Sequence, residues 1–281
     1  MKKYICEEKS ALIEQVAKLS PDSSRTTIRS LLKEMRVTLN GRVVKEAARE
    51  VIPGDEVRLW PKVKKVQKDV EILYEDPYLV VINKPAGLLS VEANYEDVNT
   101  AHSVLKDLYR PGRVFVIHRL DREASGVMMF ARDDATLWNI KEQLQKHEVQ
   151  RNYSAIVEGA IKEEKGVWQS YLVQDENYVM HSLPESHVGE FAVTHYEVAK
   201  RSAKFTQLEI TLETGRKNQI RVQSAYNGHP IVGDKKYGAK RNPVERLCLH
   251  AYKLSFIHPA KEKRMCFEVH LPDEFYTIWE T

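Results

Sequence analysis

What this sequence has little of narrows it first. Its longest wholly apolar runs, such as Leu79 to Ile82 and Val127 to Ala131, fall far short of the ~18 residues that a membrane helix needs. The opening MKKYICEEKS turns acidic with no apolar stretch behind it, so no secretory leader is expected. Only three cysteines are present, Cys6, Cys248 and Cys266, with no CxxC pair. They cannot all pair with one another, which fits a reducing cytoplasm. Twelve glycines and eleven prolines in 281 residues exclude a collagen-like or low-complexity chain. No GxxxxGK[ST] phosphate loop, Gly-rich dinucleotide turn or HExxH is found. The His181 and His187 of HSLPESH stand isolated, so neither a metal nor a cofactor is expected.

What is there is a chain long enough for one large domain or two modest ones, with 42% hydrophobic residues to build a core. The net charge of +3 is unevenly spread. Residues 1–68 hold 16 Lys and Arg against 9 Asp and Glu, whereas the remainder holds 27 against 31. A basic module on a slightly acidic body suggests an anion-binding appendage. A solvated surface would carry the same excess, so charge opens a nucleic-acid reading without closing it.

The boundary reads from composition. PKVKKVQK, Pro61 to Lys68, follows the apolar end Val57-Arg58-Leu59-Trp60 without amphipathic period and reads as a linker. The expected layout is a module over 1–62, a basic linker over 63–69 and a main domain over 70–281. In the module, Ser24 caps a helix with Ile28, Leu31, Leu32 and Met35 at helical spacing. Two short β runs flank Asn40-Gly41, a strong hairpin signature. Pro53-Gly54-Asp55 then turns the chain into a last strand, Glu56 to Trp60. Arg25, Arg29, Lys33 and Arg36 form a basic stripe on the helix, either a solvated face or a phosphate contact. Residues 20–60, with SRTTIRSLLKEMRVTLNGRVV and VIPGDEV, resemble the S4 RNA-binding domain.

From Val70 on, strands outnumber helices. They are expected over 72–74, 78–82, 114–117, 127–131, 153–157, 193–198, 205–212, 247–256 and 265–269, with helices over 100–108 and 133–146. Without βαβ alternation this predicts an α+β domain on a mixed, mainly antiparallel sheet, beside a small α/β module.

One block stands out. His118-Arg119-Leu120-Asp121-Arg122-Glu123-Ala124-Ser125-Gly126 lies between two apolar runs. An acid flanked by cations is favoured in its ionised form, which suits a nucleophile or base. Read from composition alone, a structural salt bridge that pins the loop is the favoured reading.

HRLDREASG resembles the signature HRLDxxTSG of the RluA-type pseudouridine synthases. Further resemblances follow in that family's order: NKPAGL (83–88), VQRNYSAIVEG (149–159), LETGRKNQIRV (212–222), GHPIVGD (228–234) and LHA (249–251). The chain departs from the family's pattern at Ala124, usually Thr, at Arg151, usually Lys, and at Lys217-Asn218, usually Thr or Ser followed by His. The resemblance implies a pseudouridine synthase fold and an isomerase that turns uridine into pseudouridine without a cofactor. It implies Asp121 as the catalytic aspartate and Tyr153 as the active-site tyrosine, a ring suited to stacking on a base. It implies Arg221 as the arginine that pairs with the aspartate, by a fork-to-carboxylate contact. Arg119 is implied to fill the stack when the base is extruded. His118 can be read as a general base, but a structural hydrogen-bonding role is preferred.

RNA is then the expected partner, with large-subunit ribosomal RNA ahead of transfer RNA. A monomer without membrane association is expected. Two other classes stay open: a catalytically silent ribosome-assembly factor, and a hydrolase with an aspartate nucleophile. The second wants another carboxylate nearby, for which Glu123 is the candidate in sequence.

Overall fold

The computed structural model describes residues 2–60, 64–65, 70–92 and 99–280, with 64–65 as backbone only. Most of the expected linker over 63–69 lies outside the described residues; Lys64–Lys65 forms a short strand against Glu71–Glu75. The chain divides into two compact units: Met1–Val63 with His270–Tyr276, and Lys64–Val269 with Thr277–Thr281.

In the first unit, four strands form an antiparallel sheet in the order Lys2–Ile5, Glu56–Leu59, Val37–Leu39, Arg42–Val43. The Asn-Gly pair makes its hairpin because Asn40 (φ 50°) and Gly41 (φ 83°) both take the left-handed backbone such a turn needs. Asp55 closes the Pro-Gly turn by accepting from the Ile52 backbone at 2.9 Å and the Asn40 amide at 2.8 Å. Helices Leu12–Leu19 and Arg25–Lys33 bury Leu12, Val16, Ile28 and Leu32 in a core with Val37 and Val57. As expected, the Ser24 hydroxyl caps the second helix, accepting from the Thr27 N–H at 3.1 Å. The segment His270–Tyr276 closes on this unit: the His270 ring packs edge-on to Trp60, and Arg42 donates to the Tyr276 carbonyl at 3.2 Å.

The second unit is built on one sheet of 12 strands. Its order runs Met180–Leu183, Lys165–Gln174, Glu190–Arg201, Phe205–Leu212, Gln150–Glu158, Leu249–Ile257, Ser125–Ala131, Leu79–Lys84, Glu71–Glu75, Lys64–Lys65. Phe115–Val116 and Arg264–Glu268 pair off this path. Neighbours are antiparallel except Ser125–Ala131 beside Leu249–Ile257, so the sheet is mixed but mainly antiparallel, as predicted. Every residue of Ser125–Ala131 is buried. Its Gly126 is required twice over: φ is 119°, and any Cβ there would strike the backbone of Ala251. Helix Asp134–Gln145, capped by Asp133 onto the Thr136 N–H at 2.8 Å, covers a core of Leu79, Val127, Met129, Ile140, Leu254 and Phe256.

Among the elements of this unit that escape the sequence reading are strands Lys165–Gln174 and Met180–Leu183, and helix Gln219–Tyr226. The helix buries every residue from Gln219 to Ser224, polar and apolar alike, so it lacks the apolar stripe at helical spacing by which a helix is recognised. Its polar side chains are satisfied instead. The Gln219 amide donates to the Val193 carbonyl and the Thr194 hydroxyl and accepts from the Arg216 N–H and the Thr214 hydroxyl, all at 2.8–3.0 Å.

Candidate active site

The polar block 118–124 is the connection between strands Phe115–Val116 and Ser125–Ala131. Several contacts hold it in shape. The Ser90 hydroxyl donates to the Leu120 carbonyl at 2.6 Å and accepts from the Leu120 N–H at 3.0 Å. The Gly87 N–H donates to the Arg122 carbonyl at 2.8 Å. Behind the loop, the Lys84 ammonium, wholly buried, donates to the carbonyls of Pro85, Leu88 and Arg122 at 2.9, 2.7 and 3.2 Å. Burial pulls the Lys84 pKa down to about 7 despite the nearby charges of Asp121 and Glu123. Lys84 thus ties the segment 85–88 to the loop that carries Asp121.

Asp121, partly exposed, lines a cavity of about 70 Å³ with Arg119, Leu120, Tyr153, Asn218 and Arg221. A wider cleft of about 620 Å³ adjoins it, lined by Ser90, His118, Arg119, Asp121, Arg122 and Lys217 among others. The structure therefore brings Asp121, Tyr153, Arg221 and Arg119 to one place. Tyr153 is buried at a register shift between Gln150–Glu158 and Leu249–Ile257, an irregularity of the kind that re-aims a side chain. Burial, set against the charge of Arg151, raises its phenol above the usual value, and Asp121 adds to the rise.

The expected fork between Arg221 and Asp121 is corrected. The two-pronged contact goes to Asp234, from Nε at 2.7 Å and Nη2 at 2.8 Å, and Asp121 receives a single bond from Nη1 at 3.2 Å. Geometry gives the reason: Asp234 is fully buried beside the arginine, and its planar carboxylate matches the Nε–Nη2 edge. The same Nη1 lies 3.6 Å from Glu123. Burial works against the charged guanidinium, but Asp234, aided by Asp121, outweighs it and holds the pKa above its ordinary value. Asp234 was missed as a site residue, although it ends the GHPIVGD segment; a carboxylate closing that run was the available clue.

His118 accepts from the Met129 N–H through Nε2 at 3.2 Å. Burial, with Arg151 nearby, lowers its pKa to about 3, so the ring stays neutral near pH 7, as a structural acceptor. Arg151 crosses over Gly215, where a Cβ would collide with its guanidinium. Asn218 has left-handed backbone (φ 53°) at the start of helix Gln219–Tyr226, and its side-chain oxygen accepts from the Tyr237 hydroxyl at 3.1 Å. Asn tolerates that backbone better than most residues, so the departure at 218 is locally accommodated.

In the first unit, Arg25, Arg29 and Lys33 are exposed on one helix. The fourth member of the expected stripe is corrected. The helix ends at Lys33, Met35 takes left-handed backbone (φ 57°), and Arg36 turns back to donate to the Trp60 carbonyl at 2.9 Å.

Among the described residues no three His, Cys, Asp or Glu side chains gather that could hold a metal ion. No helix there is long and apolar enough to cross a membrane. Cys6 and Cys248 are buried and Cys266 exposed, all as free thiols.

Comparison with known proteins agrees with this site. Residues 78–226 match the RNA pseudouridylate synthase family and residues 12–57 the S4 domain. An uncharacterized RNA pseudouridine synthase of Bacillus subtilis, YlyB, is 34% identical, over 98% of this chain and 95% of its own. Ribosomal large subunit pseudouridine synthase D of Neisseria meningitidis is 31% identical, over 94% of this chain and 76% of its own. Among solved structures, human RNA pseudouridylate synthase domain containing 4 superposes with a TM-score of 0.60 at 27% identity, over 73% of this chain and 90% of its own. With the motif loop, its buried arginine and these matches in agreement, the chain belongs to the RNA pseudouridylate synthase family and carries an S4 domain toward its N-terminus.

Proposed function

We propose that this protein isomerises uridines of large-subunit ribosomal RNA to pseudouridine, with Asp121 starting the reaction. The single observation that carries the reading is the Asp121 carboxylate, bonded at 3.2 Å by the buried Arg221 in the small cavity that Tyr153 also lines. A carboxylate held in place by a buried guanidinium suits either attack on a carbon or removal of a proton. In the isomerisation the bond from N1 to the ribose C1′ breaks, and uracil turns within the pocket. A bond from C5 to C1′ then forms, the C5 hydrogen leaves as a proton, and N1 takes up a proton. No other reactant is consumed. Attack at C1′, attack at C6 and proton removal from C2′ each use this one carboxylate.

Tyr153 supplies a flat wall for the detached base. Arg119, which lines both cavities, fills the gap that the extruded base leaves in the RNA stack. The exposed Arg25, Arg29 and Lys33 contact phosphates. Ribosomal RNA as the target rests on the names of relatives such as that of Neisseria meningitidis, an argument by analogy. The reading places the protein in the cytoplasm, as a monomer.

The test is tritium release from unmodified large-subunit ribosomal RNA carrying 5-tritiated uridine. Wild-type protein releases tritium and Asp121→Ala does not. Absence of release by the wild type overturns the reading of the activity; release by the variant overturns the role of Asp121.

A further inference from the structure

At the rim of the Asp121 site stands an aromatic side chain that the isomerisation does not use. Tyr178 is 73% exposed, at the tip of the turn between strands Lys165–Gln174 and Met180–Leu183. The turn is firmly built. The Asp175 carboxylate accepts from the N–H groups of Asn177 and Val179 at 2.9 and 2.8 Å, and His181 lies on its other oxygen at 2.8 Å. Tyr178 has left-handed backbone (φ 61°), an arrangement that costs energy for a bulky residue. The hydrophobic effect gives no reason to hold a tyrosine ring out in water at such a position.

Two lysines from separate segments converge on it. The Lys217 ammonium lies 5.9 Å from the ring centroid, and Lys236 donates to the Tyr178 carbonyl at 3.5 Å. Neither takes part in an ion pair among the described residues. The cluster is continuous with the site. Lys236 is 5.7 Å from the ring of Tyr237, which bonds Asn218 and lies 5.2 Å from the Arg221 guanidinium. Lys217 itself lines the wider cleft beside Arg119 and Asp121. Trp138, with Lys141 at 5.0 Å, is a comparable exposed pair, and Lys141 also lines the wider cleft, but one helix supplies both residues, whereas separate segments converge on Tyr178 and Tyr237 links them to Arg221.

We infer that Tyr178, Lys217 and Lys236 form a subsite for an unpaired nucleotide flanking the target uridine, its base stacked on the Tyr178 ring and its phosphate between the two ammonium groups. An exposed ring bordered by unpaired cations is the arrangement that binds single-stranded RNA with little regard to base identity. The inference rests on the proposed activity and adds to it a grip on the RNA outside the reacting pocket.

The experiment measures kcat and KM for tritium release from the same 5-tritiated ribosomal RNA, with full-length Tyr178→Ala, Tyr178→Phe and Lys217→Gln/Lys236→Gln proteins. Tyr178→Ala is expected to raise KM about tenfold, with kcat within twofold and the melting temperature unchanged. Tyr178→Phe keeps the ring and is expected to stay within twofold of wild type. The double lysine variant is expected to lower the slope of log affinity against log salt by about 1. An unchanged KM in Tyr178→Ala overturns the subsite, as does a Tyr178→Phe as impaired as the alanine, since stacking needs only the ring. Failure of the proposed activity looks different: the wild type itself then releases no tritium.

Discussion

Arg221 gives its two-pronged contact to Asp234, at 2.7 and 2.8 Å, and reaches Asp121 through one hydrogen bond of 3.2 Å. The arginine is therefore oriented from behind by a carboxylate that faces away from solvent, leaving one N–H to address Asp121. Removing Asp234 leaves a buried guanidinium without its main counter-charge, a change that costs about 3–5 kcal/mol. Asp234→Ala is expected to lose that much stability in urea unfolding and to slow tritium release about a hundredfold. Arg221→Lys is expected to fail on both counts, because an ammonium cannot match the fork and still reach Asp121. Full stability in either variant would show that the pair is not a structural anchor.

Lys84 sets a pH dependence. Its folded pKa, pulled down to about 7 by burial, lies below the ordinary value of about 10.4. Between those values the unfolded chain binds one more proton than the folded chain at this residue. Stability from this group therefore rises with pH, by up to ~1.4 kcal/mol per unit, and is flat below about pH 7. Lys84→Met removes the titration while leaving three carbonyls without their donor. Urea unfolding at pH 7, 8 and 9 is expected to give a slope against pH that is smaller in the variant than in wild type.

Asp76 also makes stability rise with pH, but in the acid range and as a stabilising group. It opens the turn before Leu79–Lys84, accepting from the Tyr78 and Leu79 N–H groups at 2.9 and 3.0 Å, the Tyr74 hydroxyl at 2.7 Å and the buried His258 at 2.8 Å. Burial alone would raise its pKa, but these bonds together hold it far below the carboxylate range. The stabilisation is present in full above the unfolded value of about 3.9 and fades as pH falls toward the lower folded value. Asp76→Ala is expected to cost about 3 kcal/mol at pH 7, with the gap from wild type narrowing below pH 4. Thermal melts across that range check it.

The basic helix of the S4 domain gives a contrast within four residues. Arg25, Arg29 and Lys33 are exposed, whereas Arg36 is bonded to the Trp60 carbonyl. Charge reversal at the first three is expected to weaken binding to ribosomal RNA and flatten its salt dependence, with little change in melting. Arg36→Gln is expected to lower stability and leave the salt slope nearly unchanged. Filter binding at several salt concentrations, beside thermal melts, separates the two behaviours.

Much of this protein was legible residue by residue, wherever a local rule applied. The Ser24 cap, the Asn40-Gly41 hairpin and the strands on either side of 118–124 depend on neighbours a few positions away, and they form as read. Helix Gln219–Tyr226 was not legible, because it buries Gln219, Arg221 and Gln223 along with Ile220 and Val222, a run in which no helical hydrophobic period shows. Strand Lys165–Gln174 was hidden similarly: the inward Ser170 interrupts its apolar alternation, and its hydroxyl accepts from Gln223 at 2.9 Å. Arg36 shows the reverse error, since its spacing suits the stripe but the left-handed Met35 carries it off the helix.

Residue order alone was enough for the loop that presents Asp121, because an acidic, basic and Gly-ended block between two apolar runs can only be a connection at a sheet end. It was enough, too, for the motif order that resembles the RluA-type synthases. Packing across the sheet decided the rest. Which carboxylate Arg221 grips, why Lys84 sheds its charge near neutrality and what Tyr178 stands beside depend on segments far apart in sequence. Asp121 and Arg221 are 100 positions apart, and they meet because the parallel pairing of Ser125–Ala131 with Leu249–Ile257, and the antiparallel pairing of that strand with Gln150–Glu158, fix the sheet around the site. Hydrogen-bond geometry and desolvation act over a few ångströms in space, and only the folded chain sets those distances.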